Sequence, residues 1–150
     1  METKSRKWLR RSIPTWVKPK DETFFVTDCS RERHKAPLVK PKIASELMSS
    51  IHFRCELQIW LPMIALVMPD HIHMILRLGL ESKGLSTEMR NWKYWTAKNL
   101  GIHWQDGFFD HRLRDAESLS QKYEYILDNP VRAGLVESPS DWKWKIESED

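Results

Sequence analysis

Two histidines one residue apart, His71 and His73, stand in the segment MPDHIHMIL (residues 68–76), which reads as a β-strand. Side chains alternate faces along a strand, so both imidazoles point one way while Ile72, Met74 and Leu76 point the other. One face is chemical and the other belongs to a core. Two neutral imidazoles on one face can share a metal ion, with their second ring nitrogens oriented by neighbours. A strand histidine on its own is more often a satisfied polar residue, so the pair needs a partner element.

A helix supplies it. Asp115 reads as an N-cap for a helix that passes Leu119, Tyr123 and Ile126 and is expected to end at Pro130, because the residue before a proline is pushed out of the α region. At about 100° per residue, Leu119, Tyr123, Ile126 and Leu127 cluster on one side and Tyr125 projects away from them. Tyr123 is therefore predicted to be core and Tyr125 available. Asn129 follows Tyr125 by four residues, which puts a phenol and a carboxamide on one face; Asn129 also suits a C-terminal cap, and both roles remain open.

The remaining elements must position these two halves. Thr23-Phe24-Phe25-Val26-Thr27 is β-branched and aromatic between turn-forming residues, a first strand. Ile43, Leu47, Met48 and Ile51 have the spacing of one helical face, predicting a helix over residues 42–52. A second strand is expected over residues 64–67, since Pro62 argues against an earlier start. Met68-Pro69-Asp70 makes a turn so short that the strand bearing the histidines must run antiparallel to it. A second helix spans residues 85–100 with Ser86 or Thr87 as cap and Gly101 as its stop, and residues 108–113 form another strand. The order strand, helix, strand, strand, helix, strand matches the split βαβ or ferredoxin-like pattern. The expected fold is thus α+β, an antiparallel sheet with helices on one face and the other face free for ligand, plus the C-terminal tyrosine-bearing helix and a short extension.

The 150 residues fit one domain, expected over residues 23–145 behind a basic arm at 1–22. Net charge is +3 and the pI about 8.9. Much of the positive charge sits in the arm, where Lys4, Arg6, Lys7, Arg10 and Arg11 are interleaved with Trp8 and followed by Trp16, a composition suited to phosphates and stacked bases. Two cysteines, Cys29 and Cys55, are too few and too far apart for a disulfide framework. The longest apolar run, residues 59–68, contains Pro62 and falls short of the ~20 residues of a membrane span. With no apolar leader, a cytoplasmic protein without membrane association is expected.

MPDHIH, then WQDGFFDHRLRD (104–115), then YILDNPVRAGLV (125–136) and the closing Asp141-Trp142 resemble the REP-associated tyrosine transposases, a branch of the single-tyrosine HUH transposase superfamily. The resemblance runs in order from residue 23 to residue 142. It implies a nuclease domain in which His71, His73 and Asn129 hold Mg²⁺ or Mn²⁺ and Tyr125 is the nucleophile. The implied reaction is cleavage and strand transfer on single-stranded DNA beside a hairpin-forming repeat, through a 5′-phosphotyrosine and without a nucleotide cofactor. A free phenol has a pKa of about 10, so the site must activate it; Asp70, Lys122 and His111 are candidates. The resemblance further implies DNA contacts from the arm and from Arg112, Arg114 and Arg132. Whether the protein works as a monomer or homodimer is open. The alternatives are a non-catalytic hairpin-DNA binder or repressor, and an unrelated zinc hydrolase that would add His103 or His111 to the histidine pair.

Overall fold

The computed structural model of the chain describes residues 22–148. The basic arm and its five cations, Lys4, Arg6, Lys7, Arg10 and Arg11, lie outside them.

Five antiparallel strands form one sheet in the order β4-β1-β3-β2-β5, from β1 (Thr23–Cys29), β2 (Trp60–Val67), β3 (His71–Leu78), β4 (Phe109–Leu113) and β5 (Lys145–Glu147). The first four reproduce the expected ferredoxin-like arrangement, and β5 extends it by pairing with residues 64–66 of β2. Helices α1 (Pro41–Glu56) and α2 (Leu85–Leu100) cover one face. Helix α3 (Ala116–Leu127) and the single turn α4 (Asn129–Arg132) follow β4. The second face is not left open along its length. Tyr123 and Ile126 of α3 pack on Ile64, Leu66 and Ile75, forming a second, smaller core.

Alternation in β1 explains the division. Phe24 and Val26 enter the core under α1 and α2, together with Met74 and Leu76 from β3. Phe25 and Thr27 face the other way. In β2 the strand begins at Trp60, four residues before the expected start, and the register shifts between Pro62 and Ile64. A bulge is where a strand tolerates a residue with no N–H to donate.

Tryptophans carry much of the larger core. Trp92 of α2 lies between Trp60 and Trp104, with ring centroids 5.9 and 5.5 Å away. Their indole N–H groups are satisfied inside: Trp92 donates to Ser50 Oγ at 2.9 Å and Trp104 to Thr96 Oγ1 at 2.8 Å. Burial of these rings is affordable because no indole donor is stranded. Helix α2 starts two or three residues earlier than a Ser86 or Thr87 cap requires. Its N-cap is Gly84, and Glu88 Oε2 accepts a hydrogen bond from Lys83 N at 2.7 Å.

One buried charge has a consequence for stability. Asp28 is fully buried on the α2 side of β1, and neither carboxylate oxygen has a hydrogen-bond partner among the described residues; Lys93 Nζ stands 3.5 Å from Oδ1. Burial raises its pKa from 3.8 to about 7 against the opposing pull of Lys93. Between these values the folded state keeps a proton that the unfolded chain has released, so stability falls as pH rises through the window and levels off above it. Asp28→Asn is expected to flatten that fall, by up to about 1 kcal/mol per pH unit. Urea unfolding of both proteins at pH 5, 6, 7 and 8 measures it, since other titrating groups cancel in the comparison.

Candidate active site

The two histidines emerge on the same face of β3, as the alternation requires, next to β1. His73 is paired in register with Thr27, and its Nδ1 lies 2.8 Å from Thr27 Oγ1. His71 Nδ1 lies 2.7 Å from Asp70 Oδ1. Both Nδ1 atoms being engaged, both Nε2 atoms are left for each other, 3.1 Å apart. Burial first, then the charges of His71, Arg132 and Lys122, lower the pKa of His73 from 6.5 to about 3. Its imidazole is therefore neutral at physiological pH and offers an Nε2 lone pair when Nδ1–H donates to Thr27. For Asp70, burial acts to raise the carboxyl, but hydrogen bonds to His71 and Arg33 outweigh it and hold the group below its ordinary value.

Helix α3 brings the tyrosine to this pair within one chain. Its cap is Asp115, which accepts from Ser118 N at 2.7 Å. The helical period separates the two tyrosines as expected. Tyr123 is 2% exposed and donates to Glu147 Oε1 at 2.6 Å, whereas Tyr125 is 45% exposed. The Tyr125 ring sits 6.0 Å from His73 and edge-on to Phe25 at 6.4 Å, and Phe25 in turn stacks on His73 at 5.3 Å. Two cations flank it. Arg132 lies over the ring at 4.0 Å and donates to the Tyr125 carbonyl at 2.8 Å, and Lys122 Nζ is 5.4 Å from the ring centroid.

Asn129 is not the C-cap of α3; Asp128 is, and Asn129 opens the next turn with Pro130 in its first positions. Proline suits that place, where its missing N–H would have no helical partner. Asn129 is 9% exposed, yet its carboxamide makes no hydrogen bond among the described residues.

The other sequence candidates divide. Arg132 is at the tyrosine. Arg112 shares the sheet face of Phe24, turned away from Tyr125, and pairs with Glu22 at 3.0 Å. Arg114 is exposed just ahead of the α3 cap. Of the bases considered for Tyr125, Lys122 is beside the ring, Asp70 is tied to His71 and Arg33, and His111 is exposed on the edge strand opposite Phe25. Neither histidine of the zinc alternative joins the pair. His103 binds Glu32 at 2.5 Å, and among the described residues no three His, Cys, Asp or Glu side chains are placed to hold a metal.

The sequence reading missed Thr27 and Phe25 as parts of this site. Their period-two placement in β1 was visible, but which strand neighbours β3, and in what register, was not.

The chain is thus a ferredoxin-like sheet with a histidine pair on one face and a tyrosine beside it on the helix that follows β4. No family model matches the chain. A Haemophilus influenzae protein assigned as a REP-associated tyrosine transposase is 26% identical over 138 residues, covering 81% of this chain and 77% of that protein. The REP-associated tyrosine transposase of Escherichia coli is 32% identical over 78 residues, 51% of this chain and 47% of that protein, so the match spans about half of its length. A solved structure of a REP-associated tyrosine transposase bound to a REP hairpin superposes with a TM-score of 0.73 at 25% identity, over 89% of this chain and 82% of that one. By sequence and fold the chain is a relative of the REP-associated tyrosine transposases. No helix among the described residues is long and apolar enough to cross a membrane.

Proposed function

We propose that the protein cleaves and rejoins single-stranded DNA beside hairpin-forming repeats of the REP kind, with Tyr125 as nucleophile and His71, His73 and Asn129 as ligands of Mg²⁺ or Mn²⁺. The observation that carries this reading is the exposed phenol of Tyr125 against His73, whose Nε2 meets that of His71 at 3.1 Å. Two ligands in neighbouring positions around an ion with bonds of ~2.1 Å are ~3 Å apart, so the two nitrogens fit one small divalent cation. The nearly buried, unengaged carboxamide of Asn129 suits a third, oxygen ligand. The neutral amide leaves charge to be balanced by substrate phosphate, as is usual for Mg²⁺. When bound, the cation would polarise a non-bridging oxygen of the scissile phosphate.

The protein's own groups do the rest. The Tyr125 oxygen attacks phosphorus, the P–O3′ bond breaks, and the departing 3′ oxygen takes up a proton as the phenol gives one up. One phosphodiester replaces another, so no ATP is consumed, and a 3′-OH of the same or another strand can reverse the step to complete transfer. Arg132 and Lys122 place positive charge where the phosphate must lie. Thr27 and Asp70 fix the imidazoles in the orientation that aims Nε2 at the site. All these groups belong to one chain, so the reading needs no second copy to complete the site. It also places the protein with DNA in the cytoplasm.

The test is incubation of the full chain with end-labelled DNA hairpins carrying single-stranded flanks, with Mg²⁺ or Mn²⁺. A covalent protein–DNA band that survives denaturation and disappears with EDTA is expected. Hairpin binding without such a band would leave a DNA-binding protein and overturn the catalytic reading.

A further inference from the structure

On the α2 side of the sheet, away from Tyr125, lies a cavity of about 810 Å³ between α2 and the loop that leads into β4. Its size is that of a small-ligand site. Arg90 and Tyr94, four residues apart on one face of α2, form one wall, and Trp104 and Phe108 contribute to the other. Tyr94 is 68% exposed, and Arg90 has no ion pair or hydrogen bond among the described residues. Lys93 stiffens the base of the cavity. Its ammonium donates to the carbonyls of Gln105 and Gly107 while facing the buried Asp28, so the loop is pinned to the helix before any ligand arrives.

The cavity is also joined to the histidines. Gln105 N donates to the carbonyl of Cys29, and Cys29 is the strand partner of His71. Two strand spacings separate the backbones of Gln105 and His71 by ~10 Å at this end of the sheet; because the imidazole faces the other side, a strand of a few nucleotides would pass around that end to reach both. A second link runs from the cavity rim at Arg31 and Glu32 to Arg33, which binds Asp70, which binds His71.

We propose that this cavity holds one unpaired base of the DNA, a few nucleotides from the scissile phosphate, with Tyr94 and Phe108 as stacking surfaces and Arg90 on its phosphate. An aromatic wall next to an uncommitted guanidinium matches a nucleotide, which joins a flat π-face to an anion, better than a purely apolar or purely anionic ligand. The proposal rests on the DNA reading above but concerns a different set of residues.

To test it, DNA hairpins with randomised single-stranded flanks are selected on the full-length protein, and the selected oligonucleotide is remade with one abasic site at a time. Kd is measured for wild type, Tyr94→Ala, Tyr94→Phe and Arg90→Ala, with covalent adduct formation followed on the same oligonucleotides. One abasic position is expected to weaken wild-type binding about 10-fold or more. Tyr94→Ala should lose a similar factor on the intact oligonucleotide and nothing further on that abasic one, while Tyr94→Phe binds like wild type. Arg90→Ala should weaken binding and lower its salt dependence. If Tyr94→Ala binds the intact DNA as wild type does, or loses the same factor against every abasic oligonucleotide, the proposal is overturned. Adduct formation without such coupling removes the base pocket and leaves the reaction. Coupling without any adduct does the reverse, and failure of the wild type to bind DNA overturns both.

Discussion

Tyr125→Phe is expected to abolish the covalent DNA adduct, by a factor of about 10⁴ or more, while changing hairpin affinity by no more than about 3-fold. The asymmetry follows from what the side chain touches. Its ring meets Arg132, Phe25 and His73, and phenylalanine keeps each of those contacts. Its hydroxyl has no hydrogen-bond partner among the described residues, so removal strands nothing. The paired control is Tyr123→Phe, two residues away on the buried side of the same helix. There the hydroxyl bonds Glu147 at 2.6 Å, linking α3 to β5. Its loss should cost about 1–3 kcal/mol of stability, read by urea unfolding, and leave adduct formation intact at temperatures where the protein is folded. A Tyr125→Phe protein that still forms adducts, or a Tyr123→Phe protein that does not, would assign the nucleophile wrongly.

That contrast was legible in the sequence because helical period and capping are local. Asp115 marks where α3 starts, and the period then dictates which tyrosine is buried. The same holds for His71 and His73, whose shared face needs only strand alternation. The alternation also bears on Arg112. With Leu113 buried on the α3 side, its neighbour must point the other way, and the structure finds Arg112 turned from Tyr125. Asn129 was left between two roles, and the structure removes one of them. Pro130 was read as a stop, whereas it occupies the opening positions of a new turn, so Asn129 begins that turn and Asp128 caps α3.

Tertiary pairing set the rest. β5 is three residues, Lys-Ile-Glu, with too little pattern to mark a strand; it exists because the edge of β2 at residues 64–66 offers unpaired backbone groups. Trp142, which donates to the Val67 carbonyl at 3.0 Å, and Trp144 fold the extension back to meet it. Thr27 acquires its role only through the register of β1 on β3. A sequence can say which face of a strand a threonine occupies, but the ladder decides which imidazole it faces.

The second large effect belongs to that ladder. His73→Ala should eliminate adduct formation with both Mg²⁺ and Mn²⁺, by about 10³-fold or more, because it removes one of the two Nε2 atoms that converge at 3.1 Å. It should also destabilise the fold, since His73 is 7% exposed and stacks on Phe25, so activity alone is an ambiguous readout. Thr27→Val separates the two effects. Valine preserves the shape of threonine and the β-branched fit to β1, but cannot accept the Nδ1–H of His73, which leaves the imidazole free to turn or change tautomer. The expected result is a metal requirement raised about 10- to 100-fold, seen both in the Mn²⁺ concentration that half-saturates adduct formation and in direct Mn²⁺ binding followed by electron paramagnetic resonance without DNA. Hairpin affinity in EDTA should stay within about 3-fold of wild type, because Thr27 lies beneath the site and presents no charge to phosphate. Unchanged Mn²⁺ binding in Thr27→Val would mean that the imidazole is oriented by its stack on Phe25 alone. Wild-type Mn²⁺ binding that survives His73→Ala would remove the histidine pair from the metal site.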